Sequence, residues 1–230
     1  MLDYLVKYGY KLSAALVEHL RIVGLTLLIS IVLASALTLL VMRSPRLSAA
    51  VVRLFGGVYA IPSLALFAIL VPFTGIGLTT AILVLVLYNQ FLLLRNFVAG
   101  LAGVDPQIVE AAVGMGMTQA GVLLRIKLPL AFPAILAGIH LSVLSTIGIA
   151  TIAAAIGAGG IGRILFEGMR TATTVSGVYK IVWGAILAGG LAVAANLLML
   201  SLEKLLAKVF HYTGAAGHPM PDPLSSRNTF

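Results

Sequence analysis

His140 is the side chain in the apolar middle of this chain best suited to acid–base chemistry, and Ser142, Ser145 and Thr146 follow it closely. A histidine that activates a hydroxyl needs that hydroxyl in hydrogen-bond reach and a third group to orient the ring. Ser145 lies five positions on, on a different helix face, and no Asp or Glu falls inside an expected apolar span. An intramembrane enzyme using His140 remains the alternative; a neutral ring bonded to a neighbouring helix, or lining a passage, fits better. Tyr88-Asn89-Gln90 and Asn196 are uncharged polar groups in apolar surroundings, suited to bonds between helices or to a polar pathway. Gly157-x-Gly159-x-x-Gly162 matches the dinucleotide string, but it follows an apolar run rather than a strand, and Glu167 comes too soon for a ribose contact. Small residues at Gly157, Gly159 and Gly160 instead suit close packing or a bend that could serve as a gate. No G-x-x-x-x-G-K-[ST] occurs, so nucleotide is not expected on a phosphate loop of this chain. The absence of cysteine excludes disulfides and thiolate metal sites, and no metal centre is expected.

The elements that position these residues follow from composition. The 230 residues are 60% hydrophobic and 10% charged, against about 45–50% and about 25% in soluble domains. So few charges cannot clothe a globule of this size, and the apolar surface must face lipid. Four stretches carry no Asp, Glu, Lys or Arg: 22–42, 54–94, 128–162 and 181–202. A spanning helix needs about 20 residues, so the second stretch must fold back, with Pro72, Gly75 and Gly77 marking the turn. The expected architecture is an all-α polytopic membrane bundle with about five spans, at 20–42, 51–71, 76–94, 130–155 and 178–202, the second kinked at Pro62. Residues 1–18 read as an amphipathic segment at the outer surface, 19–212 as the membrane domain, and 213–230, rich in Gly, Pro and Ser, as a disordered cytoplasmic tail. Asp3 interrupts the amino-terminal stretch and no small-residue cleavage site follows, so no cleaved leader is expected.

The net charge of +8 is distributed between the apolar runs, not along one helix face. That pattern fits the positive-inside rule and argues against nucleic acid as a partner. With the amino terminus outside and the carboxyl terminus inside, nine Lys and Arg fall on the inner side and six on the outer. Arg43, Arg46 and Arg53 in the first inner loop decide the orientation.

The least lipid-like part of the middle is residues 103–129. Asp105-Pro106 reads as an N-cap followed by proline at the first helical position. A short helix should run to Val113, Gly114 and Gly116 should end it, and Thr118 should cap a second one reaching Lys127. Two short helices with small residues at their tip make a knob suited to docking on another protein. An ordinary interfacial loop would also account for these residues.

Glu110-Ala111-Ala112, Gly116 and Ile126-x-Leu128-Pro129 match, in identity and spacing, the EAA signature of ABC-importer permeases. The chain therefore resembles that family, in which this segment couples the membrane bundle to the ATP-binding subunit. A closer similarity covers residues 50–170. Ile61-Pro62-Ser63-Leu64-Ala65-Leu66, Gly75-Ile76-Gly77, Leu94-Arg95-Asn96 and Gly103-Val104-Asp105-Pro106 resemble the permeases of osmoprotectant importers. So does the run from Ile147 to Gly162. Residues 36–42 lack the Gly-x-Pro-Leu-Gly usual there, and Asn196 stands where an aspartate is common. The resemblance implies a type I importer permease that hydrolyses nothing itself, needs no cofactor, and leaves ATP to a partner subunit. It implies an extracytoplasmic binding protein, a second permease copy or homologue, and membrane lipid as further partners. The implied location is the bacterial-type inner membrane. The implied solutes are glycine betaine, carnitine or choline, with other small zwitterions or amino-acid-like solutes as the alternative.

Overall fold

The computed structural model describes residues 2–209, and the expected tail at 213–230 lies outside them. The first element, α1 (Leu2–Val41), is a single helix of 40 residues. It contains no proline, and Gly9 and Gly24 alone do not break it. The amphipathic segment expected at 1–18 is therefore not a separate element. Its Leu12 and Ala15 are buried against Ile164, which a helix lying on the surface would not require.

Ser44 ends the first connection by accepting from the Leu47 N–H, and Pro45 opens α2 (Pro45–Ala60). The Ser48 hydroxyl donates at 2.8 Å to the Val41 carbonyl, one of the oxygens α1 leaves unpaired. α3 (Ser63–Thr74) follows at 96° to α2. The expected kink at Pro62 is thus a complete break. Proline disfavours the helical region for the residue before it, and Ile61 sits extended at φ −70°, ψ 130°. At about 1.5 Å per residue neither piece alone crosses a 30 Å core, so the span expected at 51–71 is not a continuous helix. Pro72 lies inside α3, and the chain turns at Gly75–Gly77 into α4 (Leu78–Ala102).

The fourth helix is the axis of the molecule. Its buried residues include Val84, Leu85, Tyr88, Leu93, Leu94 and Phe97, which join clusters with α1, α3 and the long helix α7 (Leu128–Ala153). Between them lie α5 (Pro106–Gly114), the single turn α6 (Gln119–Val122) and a π-helical turn over Leu123–Lys127. After α7 come a 3-10 turn at Ala154–Ile156, α8 (Ile161–Arg170) and α9 (Val175–Val209). Among the described residues four helical stretches are long and apolar enough to cross a membrane, and the bent α2–α3 pair brings the number to five if it counts as one span.

Candidate functional site

At one end of the bundle α5 and α6 form the face that the sequence marks. The Asp105 carboxylate accepts from the Gln107 N–H at 2.8 Å and Pro106 occupies the first helical turn. The helix then stops on a Schellman pair: Met117 N–H bonds to Ala112 O and Gly116 N–H to Val113 O. That closure needs a left-handed residue, and Gly116 has φ +85°. Thr118 starts the next helix by accepting from Gly121 N–H at 3.1 Å.

The second helix of the expected pair is not separate. α6 passes through the π-helical turn directly into α7, and Leu128 N–H bonds back five residues to Leu123 O. Pro129 is the cause: it offers no N–H to the Arg125 carbonyl and its ring crowds that group, so the helix widens by one residue. Ile126, Leu128 and Pro129 thus join α6 to α7, half-buried at the joint. Ala112 and Val122 are buried and seat the segment. Glu110, Ala111 and Gly116 are exposed, beside Ile108, Val113 and Met115, the last of them 77% exposed. Among the described residues Glu110 has no ion-pair partner. An apolar patch around a free carboxylate, on a rigidly capped helix, is what a protein partner would cover.

The other end of α7 carries the glycine run. Gly157, Gly159 and Gly160 have φ of +80°, +86° and +70°, three left-handed positions in four residues. They swing the chain from α7 into α8, and α1 holds the turn. Glu18 Oε2 accepts from the Gly160 N–H at 2.9 Å and pairs with Arg163 at 3.2 Å. The neighbouring His19, fully buried, bonds through Nε2 to the Ile147 carbonyl at 3.2 Å. A Cβ on Gly159 would collide with the Glu18 carboxylate, and one on Gly160 would lie 2.9 Å from the His19 ring. The string that matched a dinucleotide fingerprint is therefore a packed turn.

The polar groups at membrane depth fall into two sets. The Tyr88 hydroxyl donates to the Ile61 carbonyl at the α2–α3 break, with its ring edge-on to Tyr59 at 5.5 Å. Tyr88→Phe should leave that carbonyl unpaired and lower stability by about 1–3 kcal/mol. A thermal shift of the detergent-solubilised protein reads this out, and an unchanged midpoint would refute it. Asn89 Nδ2 donates to Thr146 Oγ1 at 2.9 Å and to Ser30 Oγ at 3.3 Å, tying α4 to α7 and α1. Gln90 Nε2 adds a bond to the Ser30 carbonyl at 3.3 Å. All three side chains are buried inside this one chain.

The second set corrects an expectation. A carboxylate does reach His140: Nδ1 lies 3.0 Å from Glu203 Oε1, and Nε2 lies 2.9 Å from Asn196 Oδ1. Glu203 sits one residue beyond the expected end of the last span, on the same helix face as Asn196 two turns before it. That seven-residue spacing was visible in the sequence. Both ring nitrogens are engaged, neither with a hydroxyl, so the set has a base and its orienting carboxylate but no nucleophile. Among the described residues no cluster of three or more metal-ligating side chains occurs.

A helical bundle with four membrane-length helices, a bent α2–α3 pair and a capped, exposed segment at the foot of one span has the architecture of a type I ABC-importer permease. The chain belongs to the family of binding-protein-dependent transport system inner membrane components, whose model matches residues 26–211. It is thus the membrane-spanning permease subunit of an importer, in a family of transport components, not enzymes. It is similar to the carnitine transport permease protein OpuCD of Listeria monocytogenes, 31% identical over 209 residues, covering 91% of this chain and 92% of that one. It is also similar to the glycine betaine/carnitine/choline transport system permease protein OpuCB of Bacillus subtilis, 35% identical over 170 residues, covering 74% and 78%. The fold matches a chain of the MetNI methionine ABC transporter in an inward-facing conformation, with TM-score 0.75 and 20% identity over 86% of this chain and 97% of that one.

Proposed function

We propose that this permease conducts a small quaternary-ammonium osmoprotectant (glycine betaine, carnitine or choline) and takes its energy from an ATP-binding subunit docked on α5 and α6. The exposed patch of Ile108, Val113 and Met115 around the unpaired Glu110 carries the docking reading. Similarity to carnitine and glycine betaine permeases supports the solute class. Glu110, Ala111, Ala112 and Gly116 make the coupling contact, and Ile126, Leu128 and Pro129 hand it to α7. Two copies, or this chain and a homologue, enclose the pathway. The amino terminus is outside and the carboxyl terminus inside, so the Gly157–Gly160 turn faces the binding protein's side and acts as the outer gate.

Affinity purification of the tagged chain from gently solubilised membranes should recover an ATP-binding subunit. Vesicles holding that complex and its binding protein should accumulate radiolabelled glycine betaine, carnitine or choline only with ATP. Uptake of a different zwitterion in place of these three would move the solute assignment and leave the permease. Recovery without any ATP-binding subunit, with solute flux through the chain alone, would refute the docking reading.

A further inference from the structure

We propose that His140, Asn196 and Glu203 are positioning residues: a polar clamp that makes α9 follow α7 when the coupling segment moves. This rests on the docking proposed for α5 and α6. The chain from Gln119 to Ile156 is helical without a gap, so a displacement at the coupling face is a displacement of α7 itself. No such continuity reaches α9.

α9 is held very differently along its length. At its first turns Gly168 and Gly177 permit backbone-close contact, Gly184 packs on Leu165, and Lys180 pairs with Glu167 at 3.4 Å. Farther on it is held more lightly: Leu191, Ala192 and Ala195 are partly buried against the cluster shared with α1, α4 and α7. Val193, Leu197, Leu198 and Leu205 are exposed, and among the described side chains only Met199 of this half is fully buried. Apolar contacts on a lipid-facing helix give little force to track a neighbour, because lipid tails replace them at small cost. Two side-chain bonds to one ring, 3.0 and 2.9 Å long, do hold it. They also survive a change of charge. A doubly protonated ring donates to both oxygens, and with the Asn196 amide turned over a neutral ring keeps both bonds. A clamp that works in either protonation state suits a mechanical role better than a pH sensor.

The chain contains no cysteine, so paired labels can be introduced without removing native ones. Spin labels at Leu130→Cys on α7 and Leu202→Cys on α9, both sites exposed, would report the separation of the two helices. They would be read in the complete importer with and without ATP and vanadate. With the clamp intact the separation should be the same in both states. His140→Phe should broaden it and make it nucleotide-dependent, while glycine betaine uptake falls about tenfold and ATP hydrolysis continues. The exchange His140→Glu with Glu203→His should restore the narrow distribution, which loss of packing alone would not predict. Glu203→Gln, which keeps an acceptor oxygen, should remain close to the wild type. An unaltered separation in His140→Phe, or unaltered uptake per ATP, overturns the clamp. If no ATP-binding subunit assembles, the docking reading fails instead, and the width in the nucleotide-free permease still decides for or against the clamp.

Discussion

Gly116→Asp should insert and fold like the wild type yet carry less than about a tenth of its flux, because a like charge placed in a docking surface costs several kcal/mol. The structure separates the two effects. No atom lies within 4 Å of a Cβ built on Gly116, so nothing must shift to admit a side chain. The remaining obstacle is the left-handed backbone at φ +85°, which aspartate tolerates better than most residues. What changes is the chemistry at the tip of α5, where a second carboxylate joins Glu110 on the patch that the ATP-binding subunit is proposed to cover. Copurification of that subunit and ATP-driven uptake should be lost together while the amount of protein in the membrane stays constant. Wild-type uptake by this variant would remove Gly116 from the coupling contact. A fall in membrane content would show instead that the Schellman closure matters more to folding than to docking.

The second large effect is on the fold. Gly162→Ala should destabilise the bundle by about 3 kcal/mol or more, the upper range for overpacking a tight interior. A Cβ there would overlap the Thr151 carbonyl oxygen and lie 2.7 Å from the Ala154 Cβ. The clash is with backbone just before the turn, which has no rotamer to change. Gly148→Ala is the matched control on α7: nothing lies within 4 Å of its Cβ. Alanine at a helical site is better than glycine by roughly 0.5–1 kcal/mol. Thermal unfolding in detergent should therefore move in opposite directions for the two substitutions. Equal midpoints would mean that the close approach of α7 and α8 relaxes at little cost.

Which features could be read from the sequence depended on whether their cause was local. Asp105-Pro106 and Gly116 mark the bounds of α5 because a cap, a first-turn proline and a left-handed stop are each determined within a few residues. The four membrane-length helices follow from the lengths of uncharged apolar runs, while the span expected at 51–71 is the bent α2–α3 pair. The break at Ile61–Pro62 was foreseen as a kink because proline signals a bend but not its size; the 96° is held by the Tyr88 hydroxyl, 27 residues away. The π-helical turn merges the expected second coupling helix with α7, an effect of Pro129 that a search for helix boundaries reads as a stop. Glu203 lay just outside the expected last span and was excluded from membrane depth on that ground, although it reaches back to His140 from α9. Glu18 was assigned to a surface segment and His19 to the first residue of the membrane domain, yet both meet the glycine run more than a hundred residues later.

That last contact imposes an order on how the protein is made. Glu18 and the Gly160 amide it caps are 142 residues apart, so a ribosome working at about 5–20 residues per second delivers the carboxylate roughly seven to thirty seconds before the amide. α1 must enter the bilayer and wait beside the translocation machinery with Glu18 and His19 unsatisfied. His19 meets the Ile147 carbonyl when α7 is inserted, and the turn that completes Glu18 arrives only after that. The first helix is thus a template for one of the last turns to form, and damage to α1 would surface late in biogenesis, at the far end of the chain.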